Sequence, residues 1–149
     1  MPRIEMDFCF FSKDDEKQVV NCLVMLDCES GAMAAAAAPK SVTRFTVDFV
    51  EGVMDSWGRT DIILTTDQEN AIELLAQEVQ HQRKNRTIVR ASPRYSPQSK
   101  GAVERMNFEL EGQVRAFWID TEAKLGIQLP VSHAALTWVT RHAAWVITR

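Results

Sequence analysis

The segment GAMAAAAAP, residues 31–39, decides how the first third of the chain is built. Alanine favours helix by intrinsic propensity, but Ser30-Gly31 before the run and Pro39 after it leave room for a strand rather than a stable helix. Read as a strand, it follows two others. RIEMDFCFF (3–11) is rich in β-formers, and VVNCLVMLD (19–27) is a second apolar run. KDDEKQ and CESG supply the turns between them. The first forty residues therefore predict a three-stranded antiparallel meander.

Beyond Pro39 the period changes. Val42, Phe45, Phe49, Val50, Val53, Met54 and Trp57 recur at helical spacing, with Ser41 as candidate N-cap and Gly58 as the stop. DIILTTD (61–67) reads as a buried strand closing on Asp67, and Ala71, Ile72, Leu75 and Val79 mark the helix after it. RTIVRA (86–91) is a further strand. Val103, Met106, Leu110, Val114 and Phe117 then mark a long amphipathic helix, and Ala135, Leu136, Val139, Ala143 and Val146 a last one. The order β-β-β-α-β-α-β-α-α predicts an α/β fold, a mixed five-stranded sheet flanked by helices.

The chain has 149 residues, enough for one domain with one core. Its 46% hydrophobic and 25% charged content is that of a globular domain, not a disordered or collagen-like one. No apolar run is long enough to span a membrane, and no secretory signal pattern is present, so an intracellular protein, nuclear or cytoplasmic, is expected. Cys9, Cys22 and Cys28 contain no CxxC pair, and with His81, His133 and His142 they show no zinc-ligand spacing. Reduced, partly buried thiols are expected. The final helical pattern runs into Arg149 without a breaker, which suggests a segment cut from a longer polypeptide.

A net charge of −3 argues against a protein that binds nucleic acid over its whole surface. The charge is unevenly placed, however. Arg83, Lys84, Arg86, Arg90, Arg94 and Lys100 form a block without an acidic residue that ends beside Glu104. Such a block is either a solvated loop face or a footprint for phosphate.

Three carboxylates stand out. Asp67 closes a strand, where functional groups of α/β sheets collect. Glu104 and Asn107 lie on the helix away from its apolar stripe. Asp7 sits between Met6 and Phe8, either at an outward position of an alternating strand or buried and in need of a partner or a metal. If the three converge they repel unless a cation sits among them, and hard oxygen donors select Mg²⁺ or Mn²⁺. Two such ions roughly 4 Å apart would serve phosphodiester chemistry.

The stretch SPRYSPQSKGAVERMN (92–107), placed after TTDQENAI and separated with it from Asp7, resembles the catalytic core of retroviral and long-terminal-repeat retrotransposon integrases. The 36 residues between Asp67 and Glu104 match that family's spacing. The resemblance covers nearly the whole chain and implies a ribonuclease H-like fold. It also implies a polynucleotidyl transferase that trims the 3′ ends of element DNA and joins them to target DNA. Asp7, Asp67 and Glu104 would be the metal-binding catalytic triad, holding two Mg²⁺ or Mn²⁺ ions when DNA is bound. Tyr95, Pro97, Gln98, Ser99, Lys100 and Gly101 would form a flexible loop beside the site, with Gly101 giving mobility and Pro97 stiffness. Asn107 would lie on the DNA-facing side of the helix.

The chain also departs from that pattern. It has Lys100 where glutamine is usual, and Phe108 and Glu111 where the family has lysines that contact viral DNA ends. Arg94, Lys100 and Arg105 are the alternative phosphate contacts. The family's zinc-binding N-terminal and DNA-binding C-terminal domains are not among these residues, which leaves residues 1–149 as a catalytic core. A homodimer or higher oligomer is implied, and Trp138 and Trp145 suit either packing or a subunit interface. Two other readings stay open. One is a silent or domesticated module that only binds DNA or protein; the other is a ribonuclease H-type nuclease, which needs a fourth carboxylate such as Glu51.

Overall fold

The computed structural model describes residues 1–12, 19–93 and 97–149. Five strands, β1 (Arg3–Ser12), β2 (Val19–Asp27), β3 (Met33–Ala37), β4 (Ile62–Thr66) and β5 (Thr87–Ala91), form one sheet in the order β3-β2-β1-β4-β5. The pairs β1–β2 and β2–β3 are antiparallel, whereas β1–β4 and β4–β5 are parallel. The helices are α1 (Arg44–Ser56), α2 (Asn70–Gln82), α3 (Pro97–Leu125) and α4 (Ala135–Thr148). The element order and the mixed sheet are those expected from the sequence, and the fold is the ribonuclease H-like one. The turn reading of Asp14 and Asp15 lies outside the described residues.

The central strand has a core on each side because its side chains alternate. Ile4, Met6 and Phe8 point into a cluster with Val47, Val50 and Met54 of α1 and Ile72, Leu75 and Val79 of α2. On the other face, Cys22, Val24 and Ala35 pack with Leu110 and Val114 of α3 and with Leu136, Val139 and Ala143 of α4. The alanine strand β3 is where α4 docks; side chains ending at Cβ let a helix approach the sheet closely. Thr148 fastens the end of α4 there, its hydroxyl donating to the Met33 carbonyl (3.0 Å) and accepting from the Met33 N–H (2.9 Å).

Two helix starts differ from the sequence reading. The N-cap of α1 is Thr43, not Ser41: the Thr43 hydroxyl accepts from the Thr46 N–H and the Thr46 hydroxyl from the Thr43 N–H. This reciprocal pair satisfies two backbone donors at once, which one serine further out could not do. At the other end, Gly58 takes φ +66°, the left-handed conformation that ends a helix with least strain in glycine. Helix α3 begins at Pro97, so Pro97 to Gly101 form its first turns rather than a flexible loop. Proline's fixed φ suits the first helical position, where its missing N–H leaves nothing unpaired.

Asp27, the last residue of β2, ties two parts of the chain together. Its carboxylate is buried, accepts from the Glu29 N–H and the Ser30 hydroxyl, and is gripped by Arg59 through Nε (3.0 Å) and Nη2 (2.7 Å). Burial alone would push its pKa up, but the bonds from Ser30, Arg59 and the Glu29 N–H outweigh it and hold the carboxyl below the usual range. The β2–β3 turn is thereby tied to the connection between α1 and β4.

Candidate active site

The parallel pairing of β1 and β4 sets the site. Met6 is opposite Thr66, so Asp7 and Asp67, the next residues on each strand, come level where β4 ends. Asp67 is held there by an Asx turn, its Oδ1 accepting from the Glu69 N–H (3.0 Å) just before α2. Alternation turns Asp7 away from the α1–α2 core and toward α3. Asn107 of α3 meets it, Nδ2 donating to Asp7 Oδ2 at 3.1 Å. Asn107 is thus half-buried and engaged with the central strand instead of standing free on the helix surface.

Asp7, Asp67 and Glu104 open into one cleft of about 130 Å³, walled also by Thr65, Ser92 and Val103. Burial and the facing Asp67 charge push the Asp7 carboxyl up to about 6. Hydrogen bonds from Asn107 and the Phe8 N–H pull the other way without cancelling the effect, and Glu69 adds to the rise. Glu69 is itself paired with Lys40 of the β3–α1 connection. Glu104 sits exposed on the cleft rim. Among the described residues, no three His, Cys, Asp or Glu side chains stand close enough to hold one metal ion directly. The donor set nevertheless fits a hard divalent cation: its groups are carboxylates, and burial together with the facing Asp67 charge disfavours the ionised form of Asp7, a cost that a cation would relieve.

Of the other expected contacts, Arg105 is exposed on α3 and Gly101 lies in its first turns. Arg94 and Tyr95 lie outside the described residues, as do the side chains of Gln98, Ser99 and Lys100. Lys84, Arg86 and Arg90 of the basic block are exposed at and before the edge strand β5, whereas Arg83 is half-buried and donates to the Thr87 hydroxyl and to the Arg59 and Thr60 carbonyls. Phe108 is exposed, and Glu111 pairs with Arg115 at 2.8 Å. Glu51 belongs to α1, on the opposite sheet face, and does not line the cleft.

Reading the sequence missed Glu5. It is 3% exposed and lines the cleft below Asp7. The period of two along a strand, counted back from Asp7, was the signal that could have found it.

The fold is shared with solved retroviral integrase structures. A chain of the simian T-cell lymphotropic virus intasome superposes with a TM-score of 0.71 at 21% identity, covering 97% of this chain and 47% of that one. The HTLV-2 integrase catalytic core domain in complex with magnesium, in its trimeric form, gives 0.67 at 17% identity, over 97% of this chain and 82% of that one. Its dimeric form gives 0.66 at 18%, over 97% and 83%. The chain spans about half the length of the intasome chain it matches (47%). No protein-family model matches the sequence, and no curated protein matches it.

Proposed function

We propose that these residues are the catalytic core of a DNA integrase, a metal-dependent polynucleotidyl transferase and endonuclease acting on the ends of an LTR-type element and on target DNA. The observation that supports it most is the facing pair Asp7 and Asp67 at the end of the parallel strands, with Asp7 raised to about 6 and Glu104 on the rim of the same cleft.

In this reading Asp7, Asp67 and Glu104 hold Mg²⁺ or Mn²⁺, two ions once DNA is bound. Bound there, the cations lower the pKa of an attacking hydroxyl and neutralise charge on the phosphodiester. The residues of the chain do the positioning. Asn107 fixes the orientation of Asp7, the Asx turn fixes Asp67, and the long helix α3 brings Glu104 to the opening. DNA phosphates are held by Arg94, Lys100 and Arg105, with Tyr95, Gln98, Ser99, Gly101 and Asn107 along the same approach. Water attacks first to trim the 3′ end; the 3′-hydroxyl so freed then attacks target DNA in line, and no covalent bond to protein forms. Preorganised charge and alignment supply the rate enhancement.

A ribonuclease H-type nuclease is less well supported, because Glu51 lies on the other side of the sheet from the cleft. Partners are element and target DNA, within the cell, and further copies of the chain. Exposed Trp138 and Trp145, with His142 stacked between them, line the groove between α1 and α4 and suit a contact between copies. No helix among the described residues is long and apolar enough to cross a membrane.

The test is reversal of strand transfer on a branched DNA with Mn²⁺ or Mg²⁺, comparing the native chain with Glu104→Gln. Product from the native chain that disappears in the variant is expected. Equal product from both would remove Glu104 from the site, and no product from a folded, Mn²⁺-binding chain would favour a silent binding module.

A further inference from the structure

Among the described residues, Glu5 is a buried carboxylate with both oxygens lacking a hydrogen-bond partner. It lies on the central strand, 3% exposed. Arg3 Nη2 comes within 3.2 Å of Oε1 but outside hydrogen-bond geometry. That guanidinium is half-exposed and also donates through Nε to the Cys28 Sγ, 3.4 Å away, and the Cys28 thiol in turn interacts weakly with the Glu5 carboxylate. A buried carboxylate whose oxygens lack well-formed hydrogen bonds is costly unless something further compensates it.

Its position indicates what that is. Glu5 precedes Asp7 by two residues, so both point to the same sheet face about 7 Å apart along the strand. Opposite Glu5 on β4 is Thr65, which shares the cleft with Asp67. The longer glutamate side chain reaches the same opening that the two aspartates line, one row deeper into the sheet.

We propose that Glu5 is a fourth carboxylate of the cation site, accepting hydrogen bonds from the water carried by a divalent ion seated on Asp7 and Asp67. This rests on the metal-dependent reading above. Contact through water agrees with the spacing, since no three carboxylates of the described residues are close enough to bind one ion directly. It also suits Mg²⁺, which dehydrates reluctantly and keeps several waters. Glu5 thereby holds and orients the ion, a positioning role rather than a catalytic one.

The test is Mn²⁺ affinity, read from the electron paramagnetic resonance signal of free Mn²⁺, for the native chain and for Glu5→Gln, Arg3→Gln and Asp7→Asn, with the thermal melt of each metal-free protein. Glu5→Gln is expected to weaken Mn²⁺ binding on the order of tenfold or more, with a metal-free melting temperature equal to or above native. Arg3→Gln is expected to leave the affinity unchanged. Native affinity in a folded Glu5→Gln, with both it and Arg3→Gln melting lower, would overturn the proposal and make Glu5 a structural partner of Arg3. If Glu5→Gln does not fold, Glu5→Asp keeps the charge but withdraws it from the cleft; weakened binding there supports the proposal and native binding overturns it. Binding lost in Asp7→Asn but kept in Glu5→Gln removes this inference alone. A native chain that binds no Mn²⁺ removes the metal-dependent reading together with it.

Discussion

Asn107 on α3 donates to Asp7 on β1 at 3.1 Å, across 100 residues of sequence, and so joins the helix bearing Glu104 to the strand bearing the most perturbed carboxyl in the cleft. The bond favours the ionised form of Asp7. Burial and Asp67 nonetheless keep that carboxyl near 6. The site holds two negative charges closer than the protein alone would prefer.

Stability should report this. The folded pKa of Asp7 lies above its unfolded value of about 4, so the folded chain binds more protons between these values. Its stability falls as pH rises from about 4 through about 6, then levels off. Asp7→Asn removes the titration, so the variant is expected to gain melting temperature over the native chain at pH 8 and to lose that advantage near pH 4. Thermal melts of both proteins at the two pH values check this.

The opposite sign holds at the Asp27–Arg59 clamp. Asp27 is held below the usual carboxylate range, so its contribution is present above about 4 and is lost as pH falls through the lower folded value. Asp27→Asn is expected to cost about 1.5–3 kcal/mol at neutral pH, the worth of hydrogen bonds to a charged group. Urea unfolding at pH 7 measures the loss directly.

The fold was largely legible because its signals are local. Pro39 and Ser30-Gly31 confine the alanine run to a strand, and β3 spans Met33–Ala37 as expected. Period-two and helical patterns marked the other elements. What local pattern could not reach were groups defined by tertiary partners. Thr43 caps α1 through Thr46, Pro97 starts α3 where a loop was expected, Asn107 turns inward to Asp7, and Asp27 meets Arg59. Asp7, Asp67 and Glu104 were identified by resemblance as much as by chemistry, and the structure places all three on one cleft. Glu5 was overlooked because one glutamate in a strand has no distinguishing spacing until its burial is known.

Arg86 and Arg90 border the edge strand as exposed cations. If DNA crosses this edge, the double variant Arg86→Gln/Arg90→Gln weakens binding uniformly across sequences. The slope of log affinity against log salt is then expected to fall by roughly one for each phosphate that the variant no longer neutralises. Fluorescence anisotropy at several salt concentrations checks this; an unchanged slope would mean a solvated face.

Trp138 is 68% exposed beside His142 and Trp145 on α4, next to the groove against α1. A charge placed there should disfavour apposition of two copies, since burying it unpaired is costly. Trp138→Glu is expected to convert an oligomeric native chain to monomer in sedimentation velocity, with the fold kept.

The most direct measurement is the titration of the Asp7 carboxyl by carbon-13 NMR, without metal, with Mg²⁺, and in Asp67→Asn. A midpoint near 6 is expected without metal, falling on addition of Mg²⁺ and falling also when Asp67 loses its charge. A midpoint near the ordinary value of about 4, unmoved by Mg²⁺ and by Asp67→Asn, would contradict a cation site built on these two aspartates.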